Sequence, residues 1–429
     1  MRRPLRVLIA TDAFPPVCGG SGWSTFELAR GLRRAGHDVW IVQPRPGSQR
    51  GVTERTHDGL EVVEVHSYAP GIPFLRNYVK NERLHVRLGR VLADLAREHR
   101  ADLVHGQHVL TGPAAVLAGR LSARPAVVTV RDYWPVCYWA NLIHDPGAPG
   151  LCPSCSASHM VRCLRPRSPA WPLALPLIGY MRGNLARKQL ALARAHAVVA
   201  VSSAIARDLR ARARDVDPAR LHVIPNPIDV EALRNTVARQ PRPLDVPYVV
   251  FAGKLEVNKG VRHLVPGLAA ARIAGPVVVA GDGAEREALE RDARTAGLDL
   301  RVLGWRPRDE VLAWLAHARF VAFPSHGPES LSRVLLEAGA LGVPAVAMDT
   351  GGTRDIVVHE RTGLLAAGRE AWTRELSRLH ADPGLRDRLA TGIRAHVDAT
   401  FTADAVVART VALYRDLLDA DDQGGGPGA

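Results

Sequence analysis

The sequence predicts an α/β protein built from two doubly wound, parallel-sheet domains in tandem. Three observations lead there. Short apolar or β-branched runs alternate with helical patterns; the alternation lapses once near mid-chain and restarts; and 429 residues suffice for two cores. Two open α/β sheets joined in tandem create a cleft at their strand carboxyl ends, the usual place for a ligand.

The expected strands of the first half are Leu5–Ala10, Val39–Gln43, Leu60–His66, Leu103–His105, Ala126–Val130, Val198–Val201 and Leu221–Ile224. Between them, Ser24–Ala35, Glu82–Glu98 and Ala204–Ala213 carry helical periodicity. Asp229–Pro247 loses the rhythm, and Asn235, Gln240, Pro241, Pro243 and Pro247 mark it as a linker. Strands resume at Tyr248–Ala252, Val277–Ala280, Leu300–Leu303, Phe320–Phe323 and Ala345–Ala347. These readings give an amino-terminal domain at residues 1–235, with a cysteine-rich insertion at about 133–187, and a linker at 236–247. A second domain at 248–402 follows, then an amphipathic helix at 403–419 and a disordered tail at 420–429.

Composition sets limits on function. Apolar residues make up 47% and charged residues 23%, and no apolar run approaches the roughly 20 residues that span a bilayer. The first apolar run is broken by Arg6 and followed by Asp12, too short for a signal-peptide core. A cytoplasmic protein is expected. The formal charge of +13 is spread over nearly every helix rather than gathered in one arm, which argues against a nucleic-acid partner. It suits a phosphate-bearing substrate, or peripheral contact with the anionic inner face of the plasma membrane.

The most informative stretch runs from Pro324 to Ala338, PSHGPESLSRVLLEA. It leaves a strand, turns at Gly327-Pro328 and enters a helix expected to end near Ala340. Glu329 and Glu337 are eight residues apart, so both fall near one face of the turn-and-helix unit. The amides of Leu331, Ser332 and Arg333 lie at the helix start, where unpaired N–H groups and the macrodipole favour an anion. A pyrophosphate resting there would have one carboxylate for each flanking sugar ring. A second stretch, Phe251–Gly260, carries Lys254 and Lys259. Of 56 basic residues only Lys80, Lys188, Lys254 and Lys259 are lysines, so two within six residues stand out as phosphate counter-charges. A third, Asp12–Gly20, follows the first strand and ends in Gly19-Gly20, where backbone can approach a ligand closely.

Together these motifs resemble family 4 of the retaining glycosyltransferases, which have the two-domain GT-B fold. Pro324-Ser325, Glu329, Glu337-Ala338 and Gly342-Val343-Pro344 match its donor motif, and Gly253–Gly260 its Gly-Arg/Lys-Leu-x-x-x-Lys-Gly segment. Pro15–Gly20 matches its Pro-Pro-x-x-Gly-Gly loop, and Glu27–Val39 the helix and strand that follow. Val201-Ser202, Ile224–Asp229, Gly281–Gly283 and Thr350–Thr353 appear in family order, so the resemblance runs from residue 8 to about residue 416.

The resemblance implies a nucleotide-sugar donor, UDP- or GDP-linked, and a hydroxyl acceptor on a glycan, a lipid-linked sugar or a small molecule. It implies that Glu337 holds the ribose, Glu329 the transferred sugar, and Lys254 and Lys259 the diphosphate, with no metal cofactor. The leaving phosphate would serve as base, and the last helix would return to the first domain. Asp12, Arg131 and Asp132 would lie on the acceptor side. Arg131 departs from the family, many members of which carry His there, and arginine cannot act as a general base. A sugar-nucleotide 2-epimerase and a degenerate nucleotide-binding subunit remain as alternatives.

Two features fall outside that pattern. Cys137, Cys152, Cys155 and Cys163 cluster within 27 residues, and the Cys-x-x-Cys spacing of Cys152 and Cys155 allows a structural zinc site, with reduced thiols as the other reading. Residues Arg162–Arg187 mix Trp171, Leu173, Leu175, Leu177, Ile178 and Tyr180 with five arginines, which suits either an acidic membrane surface or an insertion packed on its own domain.

Overall fold

The computed structural model describes residues 3–143, 151–167 and 171–424. The chain divides into two compact units, one built mainly from residues up to Pro227 and from Ala403 onward, the other from Ile228–Thr402.

The first unit carries eight strands: β1 (Arg6–Ala10), β2 (Asp38–Gly47), β3 (Gly51–His57), β4 (Leu60–Tyr68), β5 (Leu103–Gly106), β6 (Ala126–Val130), β7 (Ala197–Ala200) and β8 (Leu221–Val223). Their order is β3-β4-β2-β1-β5-β6-β7-β8, and every pairing is parallel except the β3–β4 hairpin. Helices cover both faces, so the inner strands read as unbroken apolar runs: AVVTV in β6 and AVVA in β7 are buried throughout. The hairpin was not foreseen. Its outer strand, GVTERTH, is polar and mostly exposed, so it shows no apolar alternation; Asp58-Gly59, both at positive φ, makes the turn.

Strand order reverses between β1 and β5. The loops that follow these two strands therefore meet at a topological switch point, where open α/β sheets bind ligands.

The second unit has six strands: β9 (Val249–Ala252), β10 (Val277–Ala280), β11 (Leu300–Gly304), β12 (Phe320–Phe323), β13 (Ala345–Met348) and β14 (Leu364–Ala366). All pair in parallel, in the order β11-β10-β9-β12-β13-β14, with the switch point between β9 and β12. The core beneath them includes Val249, Phe251, Val277, Phe320, Val346 and Leu364, with Trp372 and Leu376 from helix Arg369–Ala381.

Two boundaries differ from the sequence reading. The stretch assigned to the first domain's end and the linker contains helix Val230–Ala238, capped by Asp229, whose carboxylate accepts from Ala232 N at 3.0 Å. It belongs to the second unit. Its nine residues are too few to show a long apolar period. The final helix runs Ala403–Gly424, so residues 420–424, expected as tail, continue the helix; 425–429 lie outside the described residues.

That last helix is part of the first unit's core: Val406, Val407, Leu413 and Tyr414 pack with Phe26, Leu28 and Leu32. A Cβ on Gly31 would come within 2.7 Å of Val407 Cγ2, which shows how closely helices Gly20–Arg34 and Ala403–Gly424 approach. Tyr414 also ties in through a polar contact, Tyr414 Oη to His105 Nδ1 at 2.6 Å, while His105 Nε2 meets Thr129 Oγ1 at 2.7 Å. Burial, reinforced by the Arg131 charge, lowers the His105 imidazole from 6.5 to about 3.

Between those values the unfolded chain binds a proton that the folded chain refuses. Stability is therefore full above the ordinary imidazole range and falls with acid, by on the order of 1 kcal/mol per pH unit. Denaturant unfolding across this range should show the slope, and His105→Gln should flatten it. An unchanged slope in that variant would assign it to another group.

Candidate functional site

In the second unit, the loop after β12 is fixed by its neighbours on both sides. Gly327 N donates to Asn258 O at 2.9 Å, and Thr350 Oγ1 donates to Ser325 O at 3.0 Å. Gly352 N donates to Glu329 O at 2.7 Å. Two glycines are required for this closeness. Gly260 sits at φ 72°, and a Cβ there would fall 1.8 Å from Pro324 O; Gly351, at φ 51°, would place one 2.1 Å from Glu329 O. The Lys-Gly and Thr-Gly-Gly segments thus grip the loop that carries Glu329.

Within that grip, Lys259 Nζ donates to Glu329 Oε1 at 2.6 Å, and Ser325 Oγ donates to the same oxygen at 2.5 Å. Glu329 is buried while the Lys259 side chain is partly exposed, so the ammonium, which has three donors, faces out with charge to offer. The arrangement is a cation aimed by a buried acid at the switch point of its own sheet.

The neighbouring helix begins at Arg333, with Ser332 as cap, its Oγ accepting from Leu335 N at 3.3 Å; Leu331 and Ser332 are both buried. The helix ends at Ala340, as the sequence suggested. Glu337 is buried on it and accepts from Arg308 Nε at 3.0 Å and Arg333 Nε at 3.0 Å. Lys259 thus meets Glu329, while Arg308 and Arg333 meet Glu337. Lys254 pairs with neither glutamate. It is 76% exposed and lies 3.7 Å from Glu256, itself exposed.

Sequence reasoning missed Arg308, which reaches Glu337 from 29 residues away and has no local signature. It also gave no role to His326, whose imidazole burial holds below its usual value, and whose Nδ1 has no hydrogen-bond partner among the described residues.

In the first unit, the loops after β1, β5 and β6 converge. Asp12 accepts from Leu110 N and Thr111 N, each at 3.1 Å, and so anchors the start of helix Gly112–Ser122. His108 lies between two acids: its Nδ1 is 3.5 Å from Asp12 and its Nε2 is 3.3 Å from Asp132. Asp132 also accepts from Trp134 N at 2.8 Å. Desolvation raises the Asp132 carboxyl, and the His108 charge opposes the rise. Val109 N donates to His108 Nδ1 at 2.8 Å, which fixes the ring and turns Nε2 toward Asp132. His108 was not singled out from sequence, because neither acid is near it in the chain.

Arg131 lies after β6 in the same neighbourhood. It is buried, and its guanidinium turns inward to the Gln107 backbone and side-chain oxygens and to Asn226 Oδ1. Those acceptors come from the ends of other strands, so its planar fork ties those strand ends together. Gly19 and Gly20 open helix Gly20–Arg34, and no side chain caps its amino end. Gly19 has ordinary backbone angles and open space where a Cβ would go, so the fold itself does not demand glycine there.

The cysteine cluster is real as a neighbourhood. Cys137, Cys152, Cys155 and Cys163 line one small cavity with His159, and none is in a disulfide. Yet among the described residues no group of three or more His, Cys, Asp or Glu side chains is disposed to hold a metal ion. Cys152 Sγ turns to Ser154 O at 2.9 Å, and the Cys155 thiol hydrogen-bonds Cys137, which with nearby amides holds the Cys137 thiol below its usual range.

The insertion around them packs on its own residues. Trp171, Ile178 and Tyr180 lie against Met160, Leu164 and Met181, while Leu173 and Leu175 are exposed. No helix among the described residues is long and apolar enough to cross a membrane.

Comparison with known proteins shows the family and the fold. Residues 18–232 match the model for Glycosyltransferase Family 4, and residues 246–382 that for Glycosyl transferases group 1. A D-inositol 3-phosphate glycosyltransferase of Xylanimonas cellulosilytica is 29% identical, over 92% of this chain and 91% of the relative. A GDP-mannose-dependent alpha-mannosyltransferase of Mycobacterium tuberculosis is 31% identical, over 84% of this chain and 83% of its own. Among solved structures, Anabaena HepE in complex with UDP superposes with a TM-score of 0.65 at 17% identity, covering 96% of this chain and all of that one. Sucrose-phosphate synthase of Thermosynechococcus elongatus gives 0.65 at 20% identity, covering 97% of this chain and 100% of that one. Matched by the family model over half its length, and built of two Rossmann-like units, the chain belongs to glycosyltransferase family 4 and has the GT-B fold.

Proposed function

We propose that the protein moves a sugar from a UDP- or GDP-linked donor to a hydroxyl acceptor, with retention of configuration and without a metal ion. The observation that carries this is the Lys259 ammonium held on Glu329 at the carboxyl end of β12, beside the amino end of helix Arg333–Ala340. A cation and a helix start together suit a diphosphate that must leave with its charge neutralised. Glu337, braced by Arg308 and Arg333, is suited to ribose hydroxyls, and the GDP-mannose dependence of one relative supports a nucleotide-sugar donor.

In this reading no side chain forms a bond to the sugar. The C1–oxygen bond to the diphosphate breaks, the acceptor oxygen bonds C1 on the same face, and its proton passes to the departing phosphate oxygen. Lys259 stabilises the charge that develops there. His108, fixed between Asp12 and Asp132, orients the acceptor. Proton NMR of the first product formed from an α-linked donor, with EDTA present, should show an α anomer. A β anomer, or turnover only after a divalent metal is added, would overturn this assignment. Conversion of the donor without any acceptor would indicate the epimerase instead.

A further inference from the structure

A groove of about 920 Å3 runs between helices Gly112–Ser122 and Leu177–Ala193 of the first unit, within the range of about 300–1,000 Å3 usual for small-molecule sites. Val116, Leu117, Leu190 and Ala191 give it apolar walls. Five cationic side chains line it, Arg120, Arg124, Arg187, Lys188 and Arg194, against one carboxylate, Glu82. That carboxylate is already engaged: it accepts from Asn184 Nδ2 at 2.7 Å and from Arg187 at 2.8 and 3.0 Å.

Two buried groups on the groove wall are open to a ligand, one an amide oxygen without a hydrogen bond and one an ammonium without a carboxylate. Asn184 is 2% exposed and its Oδ1 has no hydrogen-bond partner among the described residues, although a buried amide oxygen left alone is costly. Lys188 is 9% exposed; its ammonium lies 5.9 Å from the centre of the Tyr138 ring, and no carboxylate among the described residues is within ion-pair distance of it, Asp132 and Glu82 acting only from further away. One oxygen calls for a donor and one cation calls for an anion. They are one helical turn apart on the same helix.

We propose that this groove binds a single-chain amphiphile with a phosphate monoester head. The head's anionic oxygens meet Lys188, and a hydroxyl on or next to the phosphate donates to Asn184 Oδ1. The aliphatic chain lies between Val116, Leu117, Leu190 and Ala191, and the exposed Arg120, Arg124 and Arg194 add an attractive field along the rim. The site is separate from the Lys259–Glu329 cluster, and its existence does not depend on the transferase reading.

Titration calorimetry of the full chain with monomeric dodecyl phosphate tests this. Binding should be at least about tenfold tighter than for inorganic phosphate or for the neutral dodecyl maltoside. Ala191→Trp, which fills the groove, and Lys188→Met, which removes its cation at similar length, should each weaken it about tenfold or more. UDP and GDP binding by the same variants should stay unchanged, which shows that they are folded and reads the donor site separately. Undiminished dodecyl phosphate binding in both variants would overturn the proposal. So would co-sedimentation with phosphatidylglycerol vesicles in the absence of any binding of the monomer, since that would indicate attraction to a charged surface rather than occupancy of a groove.

Discussion

Lys259→Ala is expected to lower turnover by about 10²–10³-fold, the usual cost of removing one preorganised electrostatic partner of a developing charge. The donor's dissociation constant should rise as well, since the ammonium also neutralises the ground-state diphosphate. The geometry makes the loss large. Glu329 and Ser325 position the Lys259 side chain before any ligand arrives, so it needs no reorganisation at the moment of reaction. Lys254→Ala should do far less, because that lysine is 76% exposed and has no buried acid to aim it. Steady-state kinetics on the two variants would separate them. Wild-type turnover in Lys259→Ala would sink the assignment, and equal losses in both would mean that exposed charge alone is enough.

The second large effect concerns the acceptor. His108→Ala should raise the acceptor KM or lower turnover by about 10²-fold, as expected when an orienting group is lost, while nucleotide binding stays unchanged. The pH profile offers a readout that a purely structural role would not move. Burial raises the Asp132 carboxyl, so its ionised form, which pairs with His108, disappears as pH falls through a value above the ordinary aspartate range. Activity should therefore drop on that acid limb. In Asp132→Asn the limb should vanish or move to lower pH, with a reduced plateau. A limb left in place would assign it elsewhere.

The parts of the fold that were legible are those in which local pattern and tertiary outcome share one cause. Buried parallel strands must be apolar on both faces, so β1, β6, β7, β9 and β12 could be read directly. The edge strand β3 escaped because half its surface meets water, and helix Val230–Ala238 because it is short and follows no long apolar period. The Pro324–Ala338 motif was legible because the loop, cap and helix are contiguous. Its partners were less so: Gly351 and Gly352 looked like an ordinary turn, yet they hold the Glu329 carbonyl.

Arg131 shows what a local motif leaves out: its contacts to Gln107 and Asn226 are made by residues that only the folded sheet brings within reach. His108 is a second case. Nothing around it in sequence marks it, and only the meeting of three strand ends places it between Asp12 and Asp132.

Calorimetry of the purified chain against UDP, GDP, ADP and dTDP, with EDTA present throughout, is the most direct test of a metal-independent nucleotide-sugar transferase. One nucleoside diphosphate should bind at about micromolar strength, and Lys259→Ala should weaken it. Absence of binding by all four, or binding that appears only when a divalent metal replaces EDTA, would contradict the proposed donor site.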